Sequence, residues 1–168
     1  MPRQRHGLGL AMCVCAVVLV CPPARSTALS ESAPALAVSV ASDVIDLTNI
    51  ERTNNRRAAL HANPRLTRAA QLQADQMADA GRMAHVLPDA RYPRTEDRIA
   101  AADYHWRMLG ENVAFGQVSA EKVLDSWMHS TGHRTNILNS EFTEMGAGFA
   151  VDRTGRPYYV QVFGRPIS

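Results

Sequence analysis

The chain has 168 residues, enough for one domain with a single apolar core plus a targeting segment and too few for a second domain. Lys and Arg total 18 against 16 Asp and Glu; Arg3, Arg5, Arg25 and Glu31 all precede Val38, so removing three cations and one anion leaves fifteen of each sign beyond that point. A balanced domain gives no electrostatic reason to expect a nucleic-acid or acidic-membrane partner, because such binding needs clustered positive charge.

Arg3, Arg5 and His6 precede an apolar run from Leu8 to Val20, which has the length of an export-signal core and is too short to span a bilayer. Residues 1–26 are therefore expected to be a signal peptide. Small-residue cleavage motifs at Ala24-Arg25-Ser26 and Ala35-Leu36-Ala37 would release Thr27 or Val38, so processing is expected as early as residue 26 or as late as 37. Cys21 occupies the position of a lipid anchor, but bulky Val20 stands where such motifs carry Gly, Ala or Ser. Cys13, Cys15 and Cys21 all lie in this segment, and a domain without it has no disulfide. Residues 27–42, rich in Ser, Ala and Pro, read as a flexible lead.

The domain is expected over 43–168. Val44, Leu47 and Ile50 share one face of a helix over 43–58, which Asn63-Pro64 ends. Thr67 caps a second helix running to Gly81, with Ala70, Ala74, Met77 and Ala78 as its apolar stripe, and this helix delivers Met83-Ala84-His85 at its exit. Arg65, Arg68, Arg91, Arg94 and Arg98 are interleaved with Asp75, Asp89, Glu96 and Asp97 and read as a solvated face. Thr95 to Ala102 makes a third helix, and Ser119 caps a fourth that turns Val123, Leu124 and Trp127 inward. Met145–Val151 and Tyr158–Phe163 are β-prone runs joined by a turn over 152–157, and a third strand starts near Asn112. The expected class is α+β, a three-layer α-β-α sandwich with a small antiparallel sheet.

Two glycine-marked segments carry the chemistry. Gly110-Glu111-Asn112-Val113-Ala114 offers a carboxylate, Gly132-His133-Arg134-Thr135-Asn136-Ile137-Leu138 an imidazole, and His85 lies upstream as a third candidate. With Asn55-Arg56, Leu66, Arg98-Ile99, Tyr104 to Gly110, Trp127-Met128, Met145-Gly146-Ala147-Gly148 and Tyr159 to Gly164, these segments resemble the CAP superfamily, which groups cysteine-rich secretory proteins, insect venom antigens and plant pathogenesis-related proteins. The likeness runs from Ile45 to Gly164 and is nearest to the short bacterial branch. It implies an α-β-α sandwich, secretion, and a cleft that in many members is lined by two His and two Glu and in some binds a divalent metal such as zinc. Matched by position, His85 is the first His, Glu111 the Glu of the Gly-Glu-Asn motif and His133 the second His. Ser130 stands where the other Glu is expected.

His85 and His133 are thus candidate zinc ligands, with Glu111 as a third ligand or as the group that orients an imidazole. In a metal-free cleft the same three are candidate proton-transfer groups. The plainer alternative has Glu111 accepting backbone N–H bonds from the loop around Gly132, and Asn136 fixing that loop with Ile137 and Leu138 buried behind it. Ser130-Thr131-Gly132 reads as a turn. His61, His105 and His129 lack motif support, and Trp106, Met108, Trp127 and Met128 read as core. The leading expectation is a secreted module that binds a small molecule, a lipid or sterol by the resemblance, in the cleft or an apolar groove between helices. The alternatives are a metal-assisted hydrolase of peptide or envelope material with Glu111 as base, and a structural or signalling envelope protein with a vestigial cleft.

Overall fold

The computed structural model describes Met1 and residues 32–167; the expected signal peptide, its earlier cleavage motif and Cys21 lie outside the described residues. The first helix, α1 (Ala33–Asn54), starts ten residues before the expected Asp43 and stops short of residue 58. The lead expected over 27–42 is thus helical from Ala33. Its Ala-rich sequence has high helix propensity, and Ala37 and Ala41 extend the buried stripe of Val44, Thr48 and Arg52 toward the N-terminus. The helix ends where Arg56 takes a left-handed conformation with φ 57°. Buried Arg52 turns back there, donating through Nε to Ala58 O at 2.7 Å and through Nη1 to Ile137 O at 2.7 Å and Asn139 O at 2.9 Å.

Asn63-Pro64 opens the second helix and does not close the first. After the two-residue strand β1 (His61–Ala62), Asn63 caps α2 (Pro64–Ala80), its Oδ1 accepting from the amides of Arg65 at 2.9 Å and Leu66 at 3.4 Å. Thr67, expected as the cap, lies inside the first turn. Gly81 ends the helix in the left-handed region as its position predicts. The short α3 (Thr95–Ala101) and α4 (Ala120–Met128, capped by Ser119 Oγ) follow the sequence reading.

Strands β2 (Trp106–Phe115), β3 (Glu144–Val151) and β4 (Pro157–Pro166) form an antiparallel sheet in the order β3-β4-β2. β1 adds beside β3 in parallel, a small departure from the all-antiparallel expectation. One core lies between the sheet and α1, α4 and α5 (Thr131–Leu138), the other between the sheet and α2 and α3. The three expected layers are present.

Helix α2 rests directly on strand β3. A Cβ at Gly146 would lie 2.0 Å from Thr67 N, and one at Gly148 2.4 Å from Ala70 C, so only hydrogens fit between helix and sheet at these points. Beyond β1 the outer edge of β3 is unpaired by any strand among the described residues, and Gln71 covers it: its Nε2 donates to Phe149 O at 2.8 Å and its Oε1 accepts from Phe149 N at 3.2 Å.

Candidate functional site

Strand β2 lies at the sheet edge, and its alternation divides the candidate residues between the two layers. Glu111 and Val113 face α2 and α3, whereas Asn112 and Ala114 face α4 and α5. Glu111 therefore sits within a strand that begins six residues before the expected Asn112.

Its carboxylate is fully engaged. Oε2 accepts from Arg98 Nη2 at 2.7 Å, and Oε1 lies 2.9 Å from His85 Nδ1; the Glu111 side chain is 4% exposed, that of Arg98 0%, and that of His85 54%. Arg98 does more than pair with this acid. It donates to the carbonyls of His85, Tyr92 and Pro93 at 3.2 to 3.3 Å and to Thr95 Oγ1 at 3.0 Å. One buried guanidinium thus holds both the carboxylate and the backbone of the segment that presents the imidazole. Gln73 and Gln76 on α2 fasten the same segment at Ala84 O and at both backbone groups of Tyr92. Sequence reading placed Arg98 on a solvated face. The signal available was its position next to buried Ile99 on a short helix, where a cation needs an acidic partner.

His133 stands on the other side of the β2 edge, within α5. The Ser130-Thr131-Gly132 segment begins a helix, and the expected turn is absent. The His133 ring lies 6.4 Å from that of Trp127, and among the described residues no hydrogen bond or ion pair joins it to His85 or Glu111. The two histidines differ in proton affinity. The hydrogen bond its ring gives to Glu111 raises His85 above its ordinary value against the cost of burial, while burial lowers His133 and the nearby positive charge of His85 lowers it further.

The α5 segment is tied to β2 by amides, and the Glu111 carboxylate takes no part. Asn112 Nδ2 donates to His133 O at 3.1 Å, and Asn136 Nδ2 donates to Glu111 O at 3.2 Å and Asn112 Oδ1 at 2.9 Å. Trp127 Nε1 donates to Val113 O at 3.2 Å. Behind these, Gln161 joins Asn112 at 3.0 Å to Thr48 of α1 at 2.6 Å, so a buried polar chain runs from α5 through the sheet to α1. Ile137 is buried as expected, whereas Trp106 and Met108, expected in the core, are 40% and 36% exposed near the start of the edge strand.

Of the two roles expected for Glu111, the arrangement matches the acid that orients His85 through Nδ1 and does not match a third ligand. Among the described residues no group of three or more His, Cys, Asp or Glu side chains converges, Ser130 supplies no carboxylate, and both Glu111 oxygens are committed to Arg98 and His85.

A sizeable hollow lies elsewhere among the described residues. A groove of about 810 Å³ runs between the first half of α1 and α2 along the β3 edge, walled by Ala37, Val38, Ala41 and Ile45 and floored by Phe149, with Arg68 and Asp75 on its α2 side.

The sequence profile of the cysteine-rich secretory protein family matches residues 45–163. The uncharacterized Bacillus subtilis protein YkwD is 33% identical over 126 residues, a stretch that makes up 75% of this chain and 48% of that protein. An extracellular Bacillus anthracis protein containing an SCP domain superposes with a TM-score of 0.72 at 26% identity, covering 79% of this chain and 42% of that one. An outer surface protein of Borrelia burgdorferi shares the fold with a TM-score of 0.67 at 18% identity, over 75% of this chain and 94% of its own. The chain thus spans about half the length of YkwD. With the family profile covering most of its length, the chain belongs to the cysteine-rich secretory protein (CAP) family.

Proposed function

We propose that this chain is an extracytoplasmic binding module that takes a small apolar ligand, a fatty acyl chain or a sterol, in the groove between α1 and α2. The observation that carries the reading is the groove itself: its volume is that of a small-molecule site, its wall is aliphatic, and its few polar groups stand along one side where they can meet a ligand headgroup. An extracellular SCP-domain relative and the apolar run before the domain support export.

In this reading the His85–Glu111–Arg98 cluster is a clamp that fixes the segment between α2 and α3. A hydrolytic mechanism needs a carboxylate free to take a proton from water, and both Glu111 oxygens are already engaged, one by Arg98 and one by His85. The test is organic extraction of the purified secreted chain with mass spectrometry, followed by titration with a fluorescent fatty acid and a fluorescent sterol. Val38→Glu, which places a charge on the groove wall, is expected to abolish binding while leaving the fold intact, because Val38 is exposed. Absence of co-purifying lipid together with no saturable binding of either probe overturns the proposal.

A further inference from the structure

The end of the sheet where β2 and β3 finish carries apolar side chains that the domain does not cover. Phe115, Val118 and Val151 are all exposed, Val118 at 87%, more than any other large apolar residue of segment 32–167. Phe115 and Val151 end β2 and β3, and Val118 lies in the loop that follows β2. Gly116 N donates to Pro157 O at 2.8 Å, Tyr159 OH donates to Gln117 O at 2.9 Å, and Val151 is paired with Pro157 in the sheet, so the β2–α4 loop and the β3–β4 turn stand side by side. Neither loop is slack. Asp152 Oδ1 accepts from the amides of Thr154 at 2.8 Å and Arg156 at 3.0 Å and from Thr154 Oγ1 at 2.7 Å, which fixes the turn from within.

The charges on this end have a clear arrangement. The acid of the turn, Asp152, is taken up by these bonds, by Tyr158 OH at 3.3 Å and by a longer approach of Arg156 Nε at 3.8 Å, while the Arg153 and Arg156 side chains remain exposed. Arg156 extends over the Phe115 ring with its guanidinium 6.0 Å from the centroid. On the adjacent first turn of α4, exposed Glu121 and Lys122 offset each other. Zero net charge over the domain thus conceals a local surface of three apolar tips with two exposed guanidinium groups against one inward-held carboxylate. Rigid apolar tips flanked by Arg match a lipid–water interface, where the aliphatic and aromatic groups enter the acyl boundary and the cations meet anionic headgroups.

We propose that Phe115, Val118 and Val151, with Arg153 and Arg156, form a docking tip that seats the domain on an anionic lipid surface. The tip is independent of whether the groove holds a ligand. The experiment is co-sedimentation of the purified secreted chain with vesicles of phosphatidylglycerol and phosphatidylcholine, and with vesicles of phosphatidylcholine alone. The wild-type chain is expected to bind the anionic vesicles, with binding weakened by salt. Val118→Glu and Arg153→Glu are each expected to weaken it about ten-fold, whereas Ile50→Glu, an equally acidic change at an exposed position on α1, leaves it unchanged. Val38→Glu separates the two proposals, since it is expected to empty the groove and leave sedimentation intact. Failure of the wild-type chain to sediment, equal binding by Val118→Glu, or an equal loss with Ile50→Glu overturns the docking tip.

Discussion

Replacing Arg98 by Ala tests whether the cluster at the β2 edge is a structural clamp. At 2.7 Å the Arg98–Glu111 attraction is about 6 kcal/mol with an effective dielectric constant of about 20, before the cost of taking both ions out of water is set against it. Arg98→Ala removes the attraction and keeps much of that cost, because Glu111 stays in its buried position. The expected loss of stability is about 3 to 5 kcal/mol. The other acceptors of Arg98 are part-buried, and two of them keep a second donor, Tyr92 O from Gln76 and Pro93 O from the Leu87 amide, so their loss adds little. Glu111→Gln in the same background removes the uncompensated charge, so the double variant is expected to recover about 2 kcal/mol relative to Arg98→Ala. Urea denaturation at neutral pH of the wild type, both single variants and the double variant closes the cycle. A loss below about 1 kcal/mol in Arg98→Ala, or additivity of the two changes within about 0.5 kcal/mol, refutes the clamp.

Three further outcomes are expected. The two histidines make opposite contributions to the pH dependence of stability. His85 has a folded value above 6.5, so its contribution is fully present below that pH and is lost as pH rises through the raised value. His133 is lowered, so stability is lost as pH falls from about 6.5 toward its folded value; thermal melts of His85→Gln and His133→Gln across this range are expected to change the pH slope in opposite senses. Gly146→Ala places a methyl 2.0 Å from the Thr67 amide, backbone against backbone, and is expected to cost about 3 kcal/mol or more in chemical denaturation, whereas a loss under about 1 kcal/mol contradicts the direct seating of α2 on β3. Micromolar zinc is expected to leave the melting temperature unchanged, and a zinc-dependent rise that disappears in both His85→Ala and His133→Ala would place a metal on the two imidazoles, with Glu111 orienting His85 through Nδ1.

The parts of the fold legible in the sequence were those stated by local chemistry. Ser119 before an apolar run, Gly81 after one, and two β-prone runs around Asp152–Pro157 each name their own conformation, and α4, the end of α2 and the β3–β4 hairpin follow. Errors arose where one residue pair supports two structures. Asn63-Pro64 ends a helix or begins one with equal local logic, and only the neighbouring β1–β3 pairing decides between them. Likewise Ser130-Thr131-Gly132 has turn composition, yet it opens α5 because Asn112 and Asn136 hold that helix against β2. Arg98 was invisible for a different reason. An arginine among other charges on a helix reads as solvated until its partner is known, and Glu111 comes from a strand 13 residues later.

The residues through which the chain resembles its family are largely those that close the exposed edge of the sheet. A long edge strand leaves carbonyls unpaired every second residue, a cost that natural sheets meet by covering the edge. On β2 the outward carbonyls of Glu111 and Val113 are taken by Asn136 and Trp127, and Asn112 reaches His133 O between them. On β3 the corresponding position, Phe149, is taken by Gln71, and Gly146 and Gly148 admit the helix that carries it. Gly-Glu-Asn, Trp127 and the segment through Asn136 therefore form one fastening that does not depend on any reaction. A chain can retain that whole pattern while a fourth cleft carboxylate is replaced by Ser130, because Ser130 takes no part in covering the edge. Glu111 is the residue on which the two roles compete: one oxygen is held by Arg98 and the other by His85, so to bind a metal or activate water it would have to give up one of the partners that fix it in the fold.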